Sequence, residues 1–147
     1  MSLKLTKKER ESLRAMFGCR CAYCGCKIPE KGFHADHVEA VYREFVTFRG
    51  SSGEKVLKQT GEVYKKENDR IENFFPSCAK CNIFKSTFTI EEFRREISLQ
   101  VERARQYSVN FRTAERFGLI TINKIEPIVF WFEKYRSDPS FSGGLNV

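Results

Sequence analysis

The sequence predicts an α+β fold held together by a metal staple. Three observations carry that expectation: two Thr-x-x-Glu capping boxes that open helices, a short β-type stretch over residues 34–38, and two Cys-x-x-Cys pairs far apart in the chain. The 147 residues fit a single domain, 1–147, and 14 Phe supply material for one sizeable core.

The elements follow in order. Residues 6–17 are predicted helical, because Thr6 and Glu9 form a capping box in which each side chain satisfies an orphan amide. Leu13, Met16 and Phe17 share one face, and Gly18 suits a left-handed stop. Residues 19–26 form a tight Cys-rich turn, and residues 34–38 a strand. Between 49 and 70 the pattern is weakest: Gly50-Ser51-Ser52-Gly53 marks one loop and Gly61 another break. Val56, Leu57, Val63 and Tyr64 are available for a short hairpin between those breaks. Residues 78–85 form a short helix. Thr89 and Glu92 open a long one over about 90–107, striped by Ile90, Phe93, Ile97, Val101 and Ala104. A further helix spans 111–117 and ends at Gly118. The closing stretch 119–135 reads two ways: Asn123 and Glu126 resemble a cap, yet Ile128-Val129-Phe130-Trp131-Phe132 has strand composition. The core of the domain is expected over about 19–88, with a helical C-terminal extension over about 89–147.

The formal net charge is +7, with eight Lys/Arg against three Asp/Glu among residues 1–31. Such a balance favours a polyanionic partner, because cations on a surface displace phosphate counterions. The longest apolar run, residues 128–132, is far too short for a bilayer, so no membrane partner is expected. Residues 1–10 carry charges where an export signal needs an apolar stretch, so the expected location is cytoplasmic. Six Cys in such a chain point to metal or redox use rather than disulfides.

Cys21-Ala22-Tyr23-Cys24 and Cys78-Ala79-Lys80-Cys81 are matched pairs. A two-residue gap lets both sulfurs turn toward one ion, and two such turns complete a tetrahedral thiolate site suited to structural zinc. The 53 residues between Cys24 and Cys78 must fold as an insertion, at an entropic cost that grows only logarithmically with length. Cys19 and Cys26 flank the first pair and compete with it as ligands; Cys21 and Cys24 are preferred because the other two have no second spaced partner. A thiol redox site is the competing reading, but no βαβ pattern surrounds either pair.

Both histidines of the chain lie in Phe33-His34-Ala35-Asp36-His37. Asp36 offers a hard oxygen to Mg²⁺ or a similar ion. A histidine titrates near neutral pH, which suits His37 to take a proton from water. His34 reads either as support for that site or as a core histidine. Asn82 follows the last Cys directly, so a bound zinc fixes where its amide oxygen points. Lys85, one helical turn on, is expected on the same side within reach of a phosphate.

Taken together, Cys-x-Tyr-Cys-Gly, Asp-His-Val and Asn-x-x-x-x-Cys-x-x-Cys-Asn-x-x-Lys resemble the HNH endonucleases, spanning residues 21–86. The resemblance implies a ββα-metal core with a structural zinc on Cys21, Cys24, Cys78 and Cys81, embedded here in additional helices. It implies His37 as general base, Asn73 bracing the loop that carries it, and Asp36 and Asn82 holding a catalytic Mg²⁺ or Mn²⁺. The last letter of the family motif is often His and is Asn82 here; Ala40 or Val41 stands where a Pro often follows the Asp-His pair.

The expected function is therefore metal-dependent hydrolysis of DNA phosphodiester bonds. Lys85, Arg43 and Arg70 are candidate backbone contacts, with the basic helix over 6–17 adding to them. A non-catalytic, zinc-stabilised DNA-binding module is the alternative. A homodimer is compatible with either reading, and the sequence locates no interface for one. On this view Cys78→Ser unfolds the protein, whereas Asp36→Ala leaves the fold largely intact.

Overall fold

In the computed structural model the described residues are 3–140. The architecture is α+β, with two small antiparallel sheets and six α-helices among those residues. Helix α1 (Lys7–Ala15) begins at Thr6, where the capping box closes through Glu9 N–H to Thr6 Oγ1 and Thr6 N–H to Glu9 Oε2 (2.7 Å). Its inner face presents Leu13, followed by Phe17, and the chain reverses at Gly18 with φ +71°.

The central sheet pairs β1 (His34–His37) with β4 (Phe74–Ser77) in antiparallel register, Asp36 opposite Phe75 and His37 opposite Phe74. Helix α2 (Ala79–Lys85) leaves the end of β4 directly. Between β1 and β4 lies the insertion: β2 (Tyr42–Arg49) and β3 (Lys55–Tyr64) form one long hairpin, followed by two 3-10 turns at Lys66–Asn68 and Ile71–Asn73. The hairpin corrects the expected short pairing of Val56–Leu57 with Val63–Tyr64. Val56 pairs instead with Phe48, and Gly50–Gly53 is the turn rather than a boundary. Gly61, at φ +92°, sits in a bulge where three residues of β3 face Glu44 alone. A pattern read locally could not show that the partner strand lies on the other side of the loop.

The helix expected over 90–107 is two: α3 (Ile90–Ser98) and α4 (Gln100–Tyr107), broken at Leu99 with ψ −4°. Ser98 Oγ donates to Arg95 C=O at 2.6 Å, a back-bond of the kind that bends helices. Helix α5 (Val109–Arg116) starts two residues earlier than predicted, because Ser108 caps it by accepting from the Phe111 amide. The ambiguous stretch resolves as irregular chain to Phe130 and then α6 (Trp131–Ser137); neither a helix at Asn123 nor a strand over 128–132 forms.

One aromatic core gathers most of these elements. Phe17, Tyr23, Phe75, Phe93, Phe130 and Phe132 are all buried in it. Phe17 meets Phe75 edge-on at 5.1 Å, and Phe93 stacks on Phe130 at 5.3 Å. Phe130 is 2% exposed, so the segment after residue 119 completes the core rather than lying outside it. Trp131 and Phe132 donate their amides to the carbonyls of Tyr23 and Ala22, which ties α6 to the first Cys turn. No helix among the described residues is long and apolar enough to cross a membrane.

Candidate metal cluster and cleft

The Cys21–Cys24 turn is built from a reversal that needs Gly25. Its φ is +75°, and a Cβ there would lie 3.2 Å from the Trp131 ring. Cys21 N–H donates to Cys26 C=O at 2.8 Å and Gly25 N–H to Cys21 C=O at 3.0 Å, closing a knuckle. Cys78 caps α2, its Sγ accepting from the Cys81 amide at 3.5 Å. The Ala22 amide donates to Pro76 C=O at 2.8 Å, which docks the first knuckle on β4 beside the second. The sulfurs of Cys21, Cys24, Cys78 and Cys81 consequently lie within 4.8 Å of one another, close enough to hold one metal ion.

Electrostatics fits that role. The bond to Cys81 pulls the Cys21 thiol down to about 4 against the opposing effect of burial, while that bond and burial push Cys81 far up. Sulfurs this close share protons unless a cation neutralises them. Cys26 stands beside Cys24 and Cys78 and is pushed up to about 12, chiefly by burial. Cys19 and Cys26 lie outside the four-sulfur cluster.

Asp36, His37 and Asn82 line one cleft of about 770 Å³, together with Lys4, Arg10 and Arg43. The Asp36 carboxyl is 4% exposed and held from beneath: the Tyr23 hydroxyl donates to Oδ2 at 2.5 Å and Lys85 Nζ lies 3.1 Å from the same oxygen. Burial raises its pKa, partly offset by Lys85 and Tyr23. Oδ1 has no hydrogen-bond partner among the described residues, and Asp36 lines the cleft. The Asn82 amide likewise has no side-chain hydrogen bond among the described residues and faces the same space. Asp36 and Asn82 thus each offer the cleft an oxygen of the type that hard divalent cations take.

His37 is placed by three contacts. Its Nε2 is 2.9 Å from Asp69 Oδ1, its ring leans on Phe74 at 4.6 Å, and its carbonyl accepts from Lys85 Nζ at 2.8 Å. With Nε2 taken, Nδ1 is the nitrogen left for a proton. Asp69 also accepts from the Leu3 amide at 2.7 Å. Burial would raise its pKa, but the His37 and Leu3 bonds and the nearby charges of His37 and Arg43 outweigh that and hold it low.

Asn73 is 5% exposed and spans the crossover beside β1. Its amide donates to Glu39 C=O at 2.7 Å and Asn68 C=O at 2.8 Å, its oxygen accepts from Glu39 N–H, and its own carbonyl accepts from Val38 N–H. Asn73 therefore positions the backbone after His37 and does not reach the cleft itself.

Four expectations need correction. Lys85 is not a phosphate contact: it is wholly buried, drawn under β1 by Asp36 and the His37 carbonyl. For the same reason Asp36→Ala is no neutral change, because it strips a buried cation of its counter-ion. Arg70 is exposed but does not line the cleft, whereas Arg43 does. His34 is exposed at the strand edge, neither core nor cleft.

Two residues of the site escaped the sequence reading. Tyr23 lies inside the first Cys pair and reads as part of a motif without a task. Asp69 sits 32 residues beyond His37, past the hairpin, and no local pattern marks it. Comparison with known proteins yields no match: no family model fits the sequence, and no curated protein or solved structure is significantly similar.

Proposed function

We infer that the protein is a metal-dependent endonuclease of the HNH kind, hydrolysing DNA phosphodiester bonds with His37 as general base. The observation that carries the reading is the convergence of Asp36, His37 and Asn82 on one cleft walled by Lys4, Arg10 and Arg43. In this reading β1, β4 and α2 are the ββα-metal core, and Cys21, Cys24, Cys78 and Cys81 hold a structural Zn²⁺.

His37 Nδ1 takes a proton from a water in the cleft, and Asp69 at Nε2 keeps the ring in the tautomer that can do so. Asp36 Oδ1 and the Asn82 amide oxygen are the groups that would hold Mg²⁺ or Mn²⁺, which supplies positive charge at the scissile phosphate. Tyr23 and Lys85 fix the Asp36 carboxylate. Asn73 fixes the backbone on which His37 rides. Lys4, Arg10 and Arg43 favour an anion in the cleft.

Plasmid nicking in Mg²⁺ or Mn²⁺ tests this. His37→Ala is expected to abolish nicking, a drop of at least about 100-fold, with zinc content and melting temperature unchanged. A variant that nicks like the parent removes His37 from the chemistry. A parent that binds DNA but never cuts favours the non-catalytic zinc module, for which the buried Lys85–Asp36 pair is the supporting observation.

A further inference from the structure

Beyond Arg43 at its root, the hairpin of β2 and β3 takes part in neither the sulfur cluster nor the cleft chemistry. At its root Arg43 lines the main cleft and also a smaller cavity shared with Gln59, Val63 and Asp69. Beyond the bulge the register is regular, from Phe45 opposite Gln59 to Arg49 opposite Lys55. Cross-strand partners share a face and successive residues alternate. One face therefore carries Phe45, Thr47, Arg49, Lys55, Leu57 and Gln59. The other carries Val46, Phe48, Val56 and Lys58.

Neither face is covered: Leu57 on the first is 68% exposed and Phe48 on the second 46%. The first face holds two cations and no acid. The acids of the hairpin lie elsewhere. Glu44, on the opposite face, accepts from Thr60 and Tyr64; Glu54 in the turn folds back onto the Ser52 amide; Glu62 sits in the bulge.

We propose that this face is a docking ribbon for duplex DNA, with Arg49 and Lys55 neutralising backbone phosphates away from the bond to be cut. The nuclease reading supplies the direction in which the duplex runs. A two-stranded antiparallel ribbon is narrow enough for the major groove, about 12 Å wide. Six residues separate Arg43 from Arg49, roughly 20 Å of strand, which corresponds to about six base-pair steps. A duplex holds phosphates at that fixed offset, whereas a flexible single strand does not.

Binding of the zinc-loaded full chain to a duplex of about 20 base pairs, without added Mg²⁺ or Mn²⁺, tests the ribbon independently of cleavage. Arg49→Glu and Lys55→Glu are each expected to weaken affinity about tenfold and to flatten the log-affinity against log-salt slope by about one. Lys58→Glu makes the same change of charge on the opposite face and is expected to stay within about twofold of the parent. A single strand of the same sequence is expected to distinguish the variants far less. Equal losses for Lys55→Glu and Lys58→Glu would reduce the effect to net charge and overturn the proposal. So would unchanged affinity in both tip variants, equal losses on single strands, or a parent that binds no duplex. The nuclease reading fails on separate grounds, if His37→Ala still nicks.

Discussion

Lys85 and Asp36 decide more of the site than their distance from solvent suggests. A cation with no exposed surface is sustained by one carboxylate at 3.1 Å and one carbonyl at 2.8 Å, both belonging to β1. Breaking such a pair from one side leaves an uncompensated charge in the interior. Lys85→Met is therefore expected to destabilise the zinc-loaded protein by about 3–5 kcal/mol in denaturant unfolding. The double variant Asp36→Asn with Lys85→Met should recover at least about half of that loss, since neither charge then remains. Equal stability of the single and double variants would show that the pair does not interact. On the nuclease reading proposed above, Asp69 would act by orienting His37 rather than by contact with the reacting atoms. Asp69→Asn keeps the size of the side chain but no longer demands a donor at His37 Nε2. Its nicking kcat is expected to fall about 10- to 100-fold with KM and melting temperature little changed. A normal kcat would mean that the His37 ring is held well enough by Phe74 and its backbone.

At the scale of elements, the two Cys turns and α6 behave as one unit. The first turn bonds to β4 through Ala22 and Pro76, and to α6 through Tyr23 and Trp131; the second is the cap of α2. An ion bound by all four sulfurs would stabilise the junction of four elements, so its loss cannot stay local. Cys78→Ser is expected to abolish metal binding and the cooperative unfolding transition. Cys19→Ser and Cys26→Ser should retain one metal per chain in native mass spectrometry, because neither sulfur belongs to the cluster. Metal loss in Cys26→Ser would reassign the fourth ligand. The helices show how far local signals carry. Both Thr-x-x-Glu boxes form as the sequence indicates, because capping is settled within four residues. The division of 90–107 depends on Ser98 turning its hydroxyl back onto Arg95, a choice that periodicity does not record.

For the whole molecule, the sulfur cluster and the cleft are built from different side chains, so the two candidate metals should separate in stability experiments. Omitting Mg²⁺ is expected to leave the melting temperature unchanged, since Asp36 already has Lys85 as counter-ion. Chelating the thiolate-held ion should lower it by more than about 10 °C or abolish the transition. A small shift on chelation would mean that the aromatic core alone holds the fold.

What the sequence determined by itself is the chemistry in short range: which four cysteines gather, and where α1 and α3 are capped. Spacings of two to four residues constrain side-chain direction, so such features are legible without a structure. Only the tertiary structure decided that Lys85 turns inward to Asp36, that Asp69 and Tyr23 hold the two key side chains, and that Phe130 and Phe132 complete the core. Those contacts join residues from 13 positions apart, Tyr23 and Asp36, to 115 apart, Phe17 and Phe132, and their energy comes from burial and charge pairing that exist only once the chain has closed on itself.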